Sequence, residues 1–279
     1  MQPTRVSDLI AAVGDRLTPT ERRIAEAVLA EPTLLAFGNV SDLADQVGTS
    51  RPSIVRFANK LSFDGYTELQ SHVRRGLSQQ ISRPSERIRH LDPSLGPTRE
   101  ALEGSIDSVF RAIEDDRLSS LGDPLVRARE IWIVSGETSR AAAHALHSGL
   151  TMIRPGVHLV EDHSVGRDLS SAGAGDAAVI FDFFRYRRLS VSAARLLADQ
   201  GVEVVAITDG PLSPLVPHAS AWCELEVPAV GPFDSSVSAV AMAELLVAHV
   251  AEQLQDDARD RIDRTEELWA ATETFYPDE

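Results

Sequence analysis

The 279-residue chain has one cysteine, Cys223, and one lysine, Lys60. A single cysteine excludes an intramolecular disulfide framework and fits a reducing, cytoplasmic setting. The opening residues MQPTRVSDLI lack the pattern of a secretory signal, and no apolar run reads as approaching the length of a bilayer span, so no membrane partner is expected. Positive charge is scarce too. Lys and Arg total 27 against 42 acidic residues, a net charge of −15, which excludes a protein that coats nucleic acid by bulk charge. The deficit is uneven: residues 1–77 hold nine basic and nine acidic side chains, and the remainder carries the whole imbalance. Contact with a polyanion is therefore expected only at the N-terminal end.

What is present there is concentrated in residues 41–69, SDLADQVGTSRPSIVRFANKLSFDGYTEL. Leu43, Ala44 and Val47 repeat at helical spacing behind a capping candidate, Ser41, and Gly48-Thr49 ends that helix through a left-handed turn. Ser50 can cap a second helix that tolerates Pro52 in its first turn. Ile54, Phe57, Ala58 and Leu61 form its apolar stripe. Ser53, Arg56 and Lys60 lie on another face, with Asn59 at its edge and Arg51 at the tip. Two short helices joined by a glycine turn, the second carrying cations and hydroxyls outward, suit a helix-turn-helix that enters a DNA groove. A helical hairpin with a solvated basic face has the same pattern.

Upstream, residues 6–14 form a short candidate helix. T-P-T-E at 18–21 starts another, which buries Ile24, Ala25, Val28 and Leu29 and ends at Glu31-Pro32. A last helix from Tyr66 to about Leu77 completes an all-α bundle over 1–77. Residues 78–98, rich in Ser, Pro, Arg and Gln, read as a linker. From Arg99 helical spacing returns, and from residue 130 strands alternate with helices. Strands are expected at 130–135, 157–160, 177–183, 202–208 and 222–227. Helices are expected at about 139–153, 164–171, 189–200 and 236–255. That alternation gives α/β architecture with a parallel sheet covered on both faces, here over 99–260. Its ligand site lies outside the carboxyl ends of the strands. A charged, helical tail over 261–279 docks through Leu268 and Trp269.

The two halves resemble RpiR-type transcriptional regulators, in which a helix-turn-helix domain precedes a sugar isomerase (SIS) domain. LTPTERRIAEAVL and SDLADQVGTSRPSIVRFANKLSFDGYTELQ carry the likeness over residues 5–77. The Gly-Glu-Thr-Ser turn, AAVIFDF and VVAITDGPLSPL carry it more loosely over 120–255. The resemblance implies a DNA-binding transcriptional regulator, a repressor, with a double-stranded operator as partner. It also implies a phosphorylated sugar or related anionic carbohydrate as effector, homodimeric or homotetrameric assembly, and no cofactor. By position it makes Thr49, Ser50, Arg51, Ser53, Arg56, Asn59 and Lys60 the DNA-contacting set. Arg51 and Ser53 would reach base edges and Lys60 a phosphate. For Arg56 a structural salt bridge is the alternative.

The sensing site is expected at Ser135, Gly136, Glu137, Thr138 and Ser139. There a strand hands over to a helix, hydroxyls can donate, and first-turn amides can meet an anion. SIS domains that bind phosphosugars usually follow the next strand with S-x-S-G-x-T. This chain has Asp182-Phe183-Phe184-Arg185-Tyr186-Arg187-Arg188. Arg185 and Arg187 therefore join the candidate set as charge-based anion ligands. His144, His147 and His163 lack the spacing of a metal site, and His218 lacks a partner. The alternatives are a sugar-phosphate isomerase with a helical appendage, and a regulator whose SIS-like domain only dimerises.

Overall fold

The computed structural model describes residues 6–30, 35, 39–81, 84–89, 95–114, 116–211 and 213–276. It separates into two compact units, Met1–Leu91 and Asp92–Glu279. The division falls inside the segment read as a linker, yet much of that segment is helical. α5 (Tyr66–Ile81) runs past Leu77, and it is followed by α6 (Pro84–Arg89) and by α7 (Leu95–Ala112). Gln, Glu and Arg are good helix formers, so a helix can form there without an apolar stripe to announce it.

The first unit also contains α1 (Val6–Val13), α2 (Pro19–Ala30), α3 (Val40–Val47) and α4 (Arg51–Lys60). A reciprocal capping box starts α2. The Thr18 amide donates to Glu21 Oε2 at 2.8 Å, and the Glu21 amide to Thr18 Oγ1 at 3.4 Å. Glu31-Pro32, expected to end α2, lies outside the described residues. The cap of α3 is Asn39 rather than Ser41: Asn39 Oδ1 accepts the Ser41 amide at 2.8 Å. Gly48, at φ +65°, ends that helix with paired bonds, Thr49 amide to Ala44 carbonyl and Gly48 amide to Asp45 carbonyl. Ile24, Val28, Leu35, Leu43, Ile54, Phe57 and Leu69 are fully buried and form the core of this unit.

The second unit is built on five parallel strands in the order β2-β1-β3-β4-β5. They are β1 (Ile131–Ser135), β2 (Val157–Leu159), β3 (Ala177–Phe181), β4 (Glu203–Thr208) and β5 (Ala221–Glu224). Side chains alternate faces. Ile131, Ile133, Val179, Phe181, Val205 and Ile207 pack with Leu146, Leu150, Met242 and Leu246. Trp132, Val134, Ala178, Ile180, Val204 and Ala206 pack with Ala193, Ala194 and Leu197. Burial on both faces is why these strands read as unbroken apolar runs.

Helices α8 (Arg117–Arg127), α9 (Arg140–Ile153) and α12 (Val237–Leu254) lie on the first face and α11 (Arg188–Asp199) on the second, with the short α10 (Val165–Leu169) after β2. Contrary to the expectation that no apolar run approaches a bilayer span, α12, 18 residues with mean hydropathy 1.4, is long and apolar enough to cross a bilayer. Here it packs against α8 and α9, burying Ala239, Met242, Ala243, Leu246 and Val250. A β6–β7 hairpin (Ala229–Val230, Phe233–Asp234) precedes it, unanticipated because its strands are two residues long. The tail helix α13 (Asp256–Ala271) docks through Ala258, Ile262 and an Arg261 Nε bond to the Thr151 carbonyl at 3.0 Å. Leu268, expected to dock, is 61% exposed, and Trp269 meets Phe275 edge-on.

Chain order sends β1 to β2 on one side and then across to β3 on the other. The β1–β3 junction is therefore the point where strand order reverses, the place open sheets offer a ligand.

Candidate functional site

Of the four expected apolar positions, Ile54, Phe57 and Ala58 in α4 and Leu61 at its C-cap are all buried, which turns Arg51, Val55, Arg56 and Asn59 to solvent. Ser50 occupies the cap position with extended backbone (φ −104°, ψ 152°). Its hydroxyl meets Ser53 Oγ at 3.0 Å instead of an amide, and Arg56 Nη2 donates to the same Ser53 oxygen at 3.0 Å. The structural ion pair weighed for Arg56 belongs to Lys60. Lys60 Nζ lies 2.8 Å from Glu21 Oε2 and also donates to the Arg16 carbonyl, tying α4 to α2. Burial pushes the Glu21 carboxyl up, but hydrogen bonds from Lys60 and Thr18 outweigh it and hold the group below its ordinary range. A phosphate contact by Lys60 would require this pair to open. Thr49 is half-buried beside the turn. Val55, absent from the expected DNA-contacting set, is 38% exposed, and the i, i+4, i+8 spacing of Arg51, Val55 and Asn59 sets the three in one outward row.

At the β1–β3 junction the polar groups face one another. Gly136 donates its amide to the Phe181 carbonyl at 2.8 Å. Ser139, expected to offer its hydroxyl to a ligand, is buried and donates to that same carbonyl at 2.7 Å. Thr138 stays exposed. The buried Asp182 carboxylate fills the adjoining space: a Cβ on Gly136 would stand 2.1 Å from Asp182 Oδ1, so only glycine fits. Asp182 accepts the amides of Phe183 at 3.0 Å and Arg187 at 2.9 Å, the latter at the start of α11. Burial pushes its pKa up, and nearby Asp209 adds to the rise. Asp209 in turn accepts the Phe184 amide at 3.0 Å and the Tyr186 hydroxyl. Burial and that carboxylate drive the Tyr186 phenol well above its ordinary value.

Glu137, awkward beside a bound anion, is neutralised by cations. Arg187 Nη2 lies 2.9 Å and Arg140 Nη2 3.7 Å from Glu137 Oε2. Arg185, at φ +72°, is exposed, as is Arg188. Of the candidate set, the fold thus brings Gly136, Glu137, Ser139 and Arg187 together and sends Arg185 outward. Among the described residues, no three His, Cys, Asp or Glu side chains converge to hold a metal. Burial raises the Cys223 thiol to about 12, which leaves it unreactive.

The helix-turn-helix domain model of the rpiR family matches residues 4–80, and the SIS domain model matches residues 125–249. The HTH-type transcriptional regulator HexR of Pseudomonas aeruginosa is 26% identical over 219 residues, 77% of this chain and 75% of its own length. HexR of Escherichia coli is 22% identical over 218 residues, 77% of this chain and 75% of its own. Among solved structures, the Vibrio vulnificus NanR protein complexed with ManNAc-6P superposes with a TM-score of 0.57 at 19% identity. That match covers 95% of this chain and 97% of that one. The sugar isomerase domain of an RpiR transcription factor from Sphaerobacter thermophilus gives 0.58 at 20% identity, covering 62% of this chain and 99% of that one. At such identities the structural likenesses concern the fold.

Proposed function

The chain belongs to the RpiR family of DNA-binding transcription regulators with a SIS domain, and we propose that it represses transcription in the cytoplasm by binding a near-palindromic operator as a homodimer or homotetramer. The observation that carries this reading is the outward row of α4. Arg51 and Asn59 offer hydrogen bonds to base edges, and Val55 between them offers an apolar surface to a thymine methyl. Arg56, beside the row, serves a phosphate. Lys60 takes a different part: through Glu21 it fixes the angle at which α4 leaves the bundle.

The SIS domain, in this reading, takes a phosphorylated sugar or a related anionic carbohydrate. The exposed Arg185 and Arg188 and the half-exposed Arg187 support it, as does the ManNAc-6P bound to the Vibrio vulnificus relative. No catalytic role is proposed for Asp182 and Asp209, because both carboxylates hold the loop after β3 through its main-chain amides, and Asp209 also holds the Tyr186 hydroxyl. A ligand changes DNA affinity only by binding two states of the protein unequally. A mobility-shift titration with DNA flanking the chain's own coding region tests the proposal. A sequence-selective, salt-sensitive shift is expected, and its absence at 50 mM salt would sink the reading.

A further inference from the structure

Arg187 is engaged twice by carboxylates of its own chain. Its amide is taken by Asp182, and its guanidinium by Glu137 across the β1–β3 junction. Phe183 and Phe184 amides are taken as well, by Asp182 and Asp209. These three amides of the loop after β3 are therefore committed within the chain, and the guanidinium groups beside them are the cations that can meet an anion. The buried Asp182 is locked in by two amides and the close approach of Gly136. The Glu137–Arg187 pair is different, because its side chains are 55% and 53% exposed and solvent competes for both. An exposed pair of this kind is weak enough for a ligand to replace. A phosphate or carboxylate brings the chemistry that Glu137 already supplies: an anion for the guanidinium fork.

Resting on the anionic-effector reading above, we propose that Glu137 is a built-in competitor for the effector's anionic group. The ligand enters by displacing the Glu137 carboxylate from Arg187, and the same carboxylate repels any anion that binds without displacing it. Affinity for a sugar phosphate or sugar acid is thereby held low, so that only a ligand whose hydroxyls find additional partners overcomes the competition.

Isothermal titration of the full chain with glucose 6-phosphate, and separately with inorganic phosphate, tests this. E137Q is expected to bind glucose 6-phosphate about fivefold tighter than the unaltered chain, the gain from removing a weak competing pair. R187Q weakens binding, and E137Q adds nothing in the R187Q background. E203Q removes an equal charge from the opposite end of the sheet, where Glu203 pairs with Arg127, and should change nothing. Inorganic phosphate binds more weakly than the sugar phosphate if hydroxyl contacts contribute. If the unaltered chain binds and E137Q is no tighter, or is equally tightened without Arg187, the competitor role is overturned while the anionic-effector reading stands. If neither the unaltered chain nor E137Q binds either probe, both fall.

Discussion

On α4 of the N-terminal unit Lys60 is tied to Glu21, while Arg51, Arg56 and Asn59 face solvent. In the C-terminal unit more of the corresponding chemistry is committed within the chain: Arg154, Arg187, Asp182 and Asp209 all find partners there, while Arg185 and Arg188 stay exposed. The difference matches the partners proposed. DNA is a large, rigid polyanion that many exposed donors can meet at once, and it supplies its own phosphates. A small ligand gives few contacts, so a site for it holds its groups in fixed geometry and exchanges internal partners for external ones. Inward commitment is accordingly where stability resides, and outward exposure is where binding resides.

The largest effect expected of this contrast is at Arg154. Its guanidinium is buried and donates to the carbonyls of Leu125, Ala128, Arg129 and Pro155, closing the C-terminal end of α8. Burial lowers its pKa, and Glu130 partly offsets the effect. R154A would leave these carbonyls unpaired and should cost about 3–5 kcal/mol, read as a fall in the urea midpoint. A loss below about 1 kcal/mol would break the claim that inward cations stabilise this unit. Next is Arg51, where R51A should lose about 1–3 kcal/mol of discrimination between operator and scrambled DNA in competition titrations, with unfolding unchanged. Equal weakening on both DNAs would make Arg51 a phosphate contact instead.

Glu21 sharpens the contrast from the other side. E21A removes half of the capping box and the Lys60 pair, at about 1–2 kcal/mol near neutral pH. Because the folded-state pKa is lowered, this contribution is present above the ordinary glutamate range and lost as pH falls through the folded value. The stability gap between E21A and the unaltered chain should therefore close in acid, as followed by urea titrations from pH 7 to 3. A gap that persists at pH 3 would mean the helix loses packing, not an ion pair. E21A also frees Lys60, so tighter non-specific DNA binding by this variant would show that Lys60 can reach phosphate once released.

How much of this was legible follows from the range of each interaction. The five strands and their crossover helices stood out because residues buried on two faces leave unbroken apolar runs, such as AAVIF at 177–181. T-P-T-E and Gly48 were legible because caps are decided within a few residues. The cap of α3 was misplaced by two positions, onto Ser41, because Asn39 and Ser41 are both residue types that cap and only geometry shows which one does. The partner of Lys60 lies 39 residues away, beyond any local pattern. At the β1–β3 junction the sequence displayed a glycine and three arginines. The groups that govern the site are main-chain amides received by Asp182 and Asp209, which composition cannot reveal.

The smallest effect concerns Ser62, which ends α4. The Phe63 amide bonds to the Ala58 carbonyl and the Ser62 amide to the Asn59 carbonyl, the same pairing that Gly48 makes after α3. Yet Ser62 holds φ +69°, a conformation that costs a residue with Cβ about 1–2 kcal/mol. S62G relieves that strain but adds about 0.5–1 kcal/mol of unfolded-state freedom, so a net gain of roughly 0.5–1 kcal/mol is expected in the urea midpoint. Ser62 is exposed and follows Asn59 by three residues, at the end of the row offered to DNA. If S62G is more stable but binds operator several-fold more weakly, the strained serine belongs to the presented surface, held there for its hydroxyl. If stability rises and binding is unchanged, the outward face ends at Asn59.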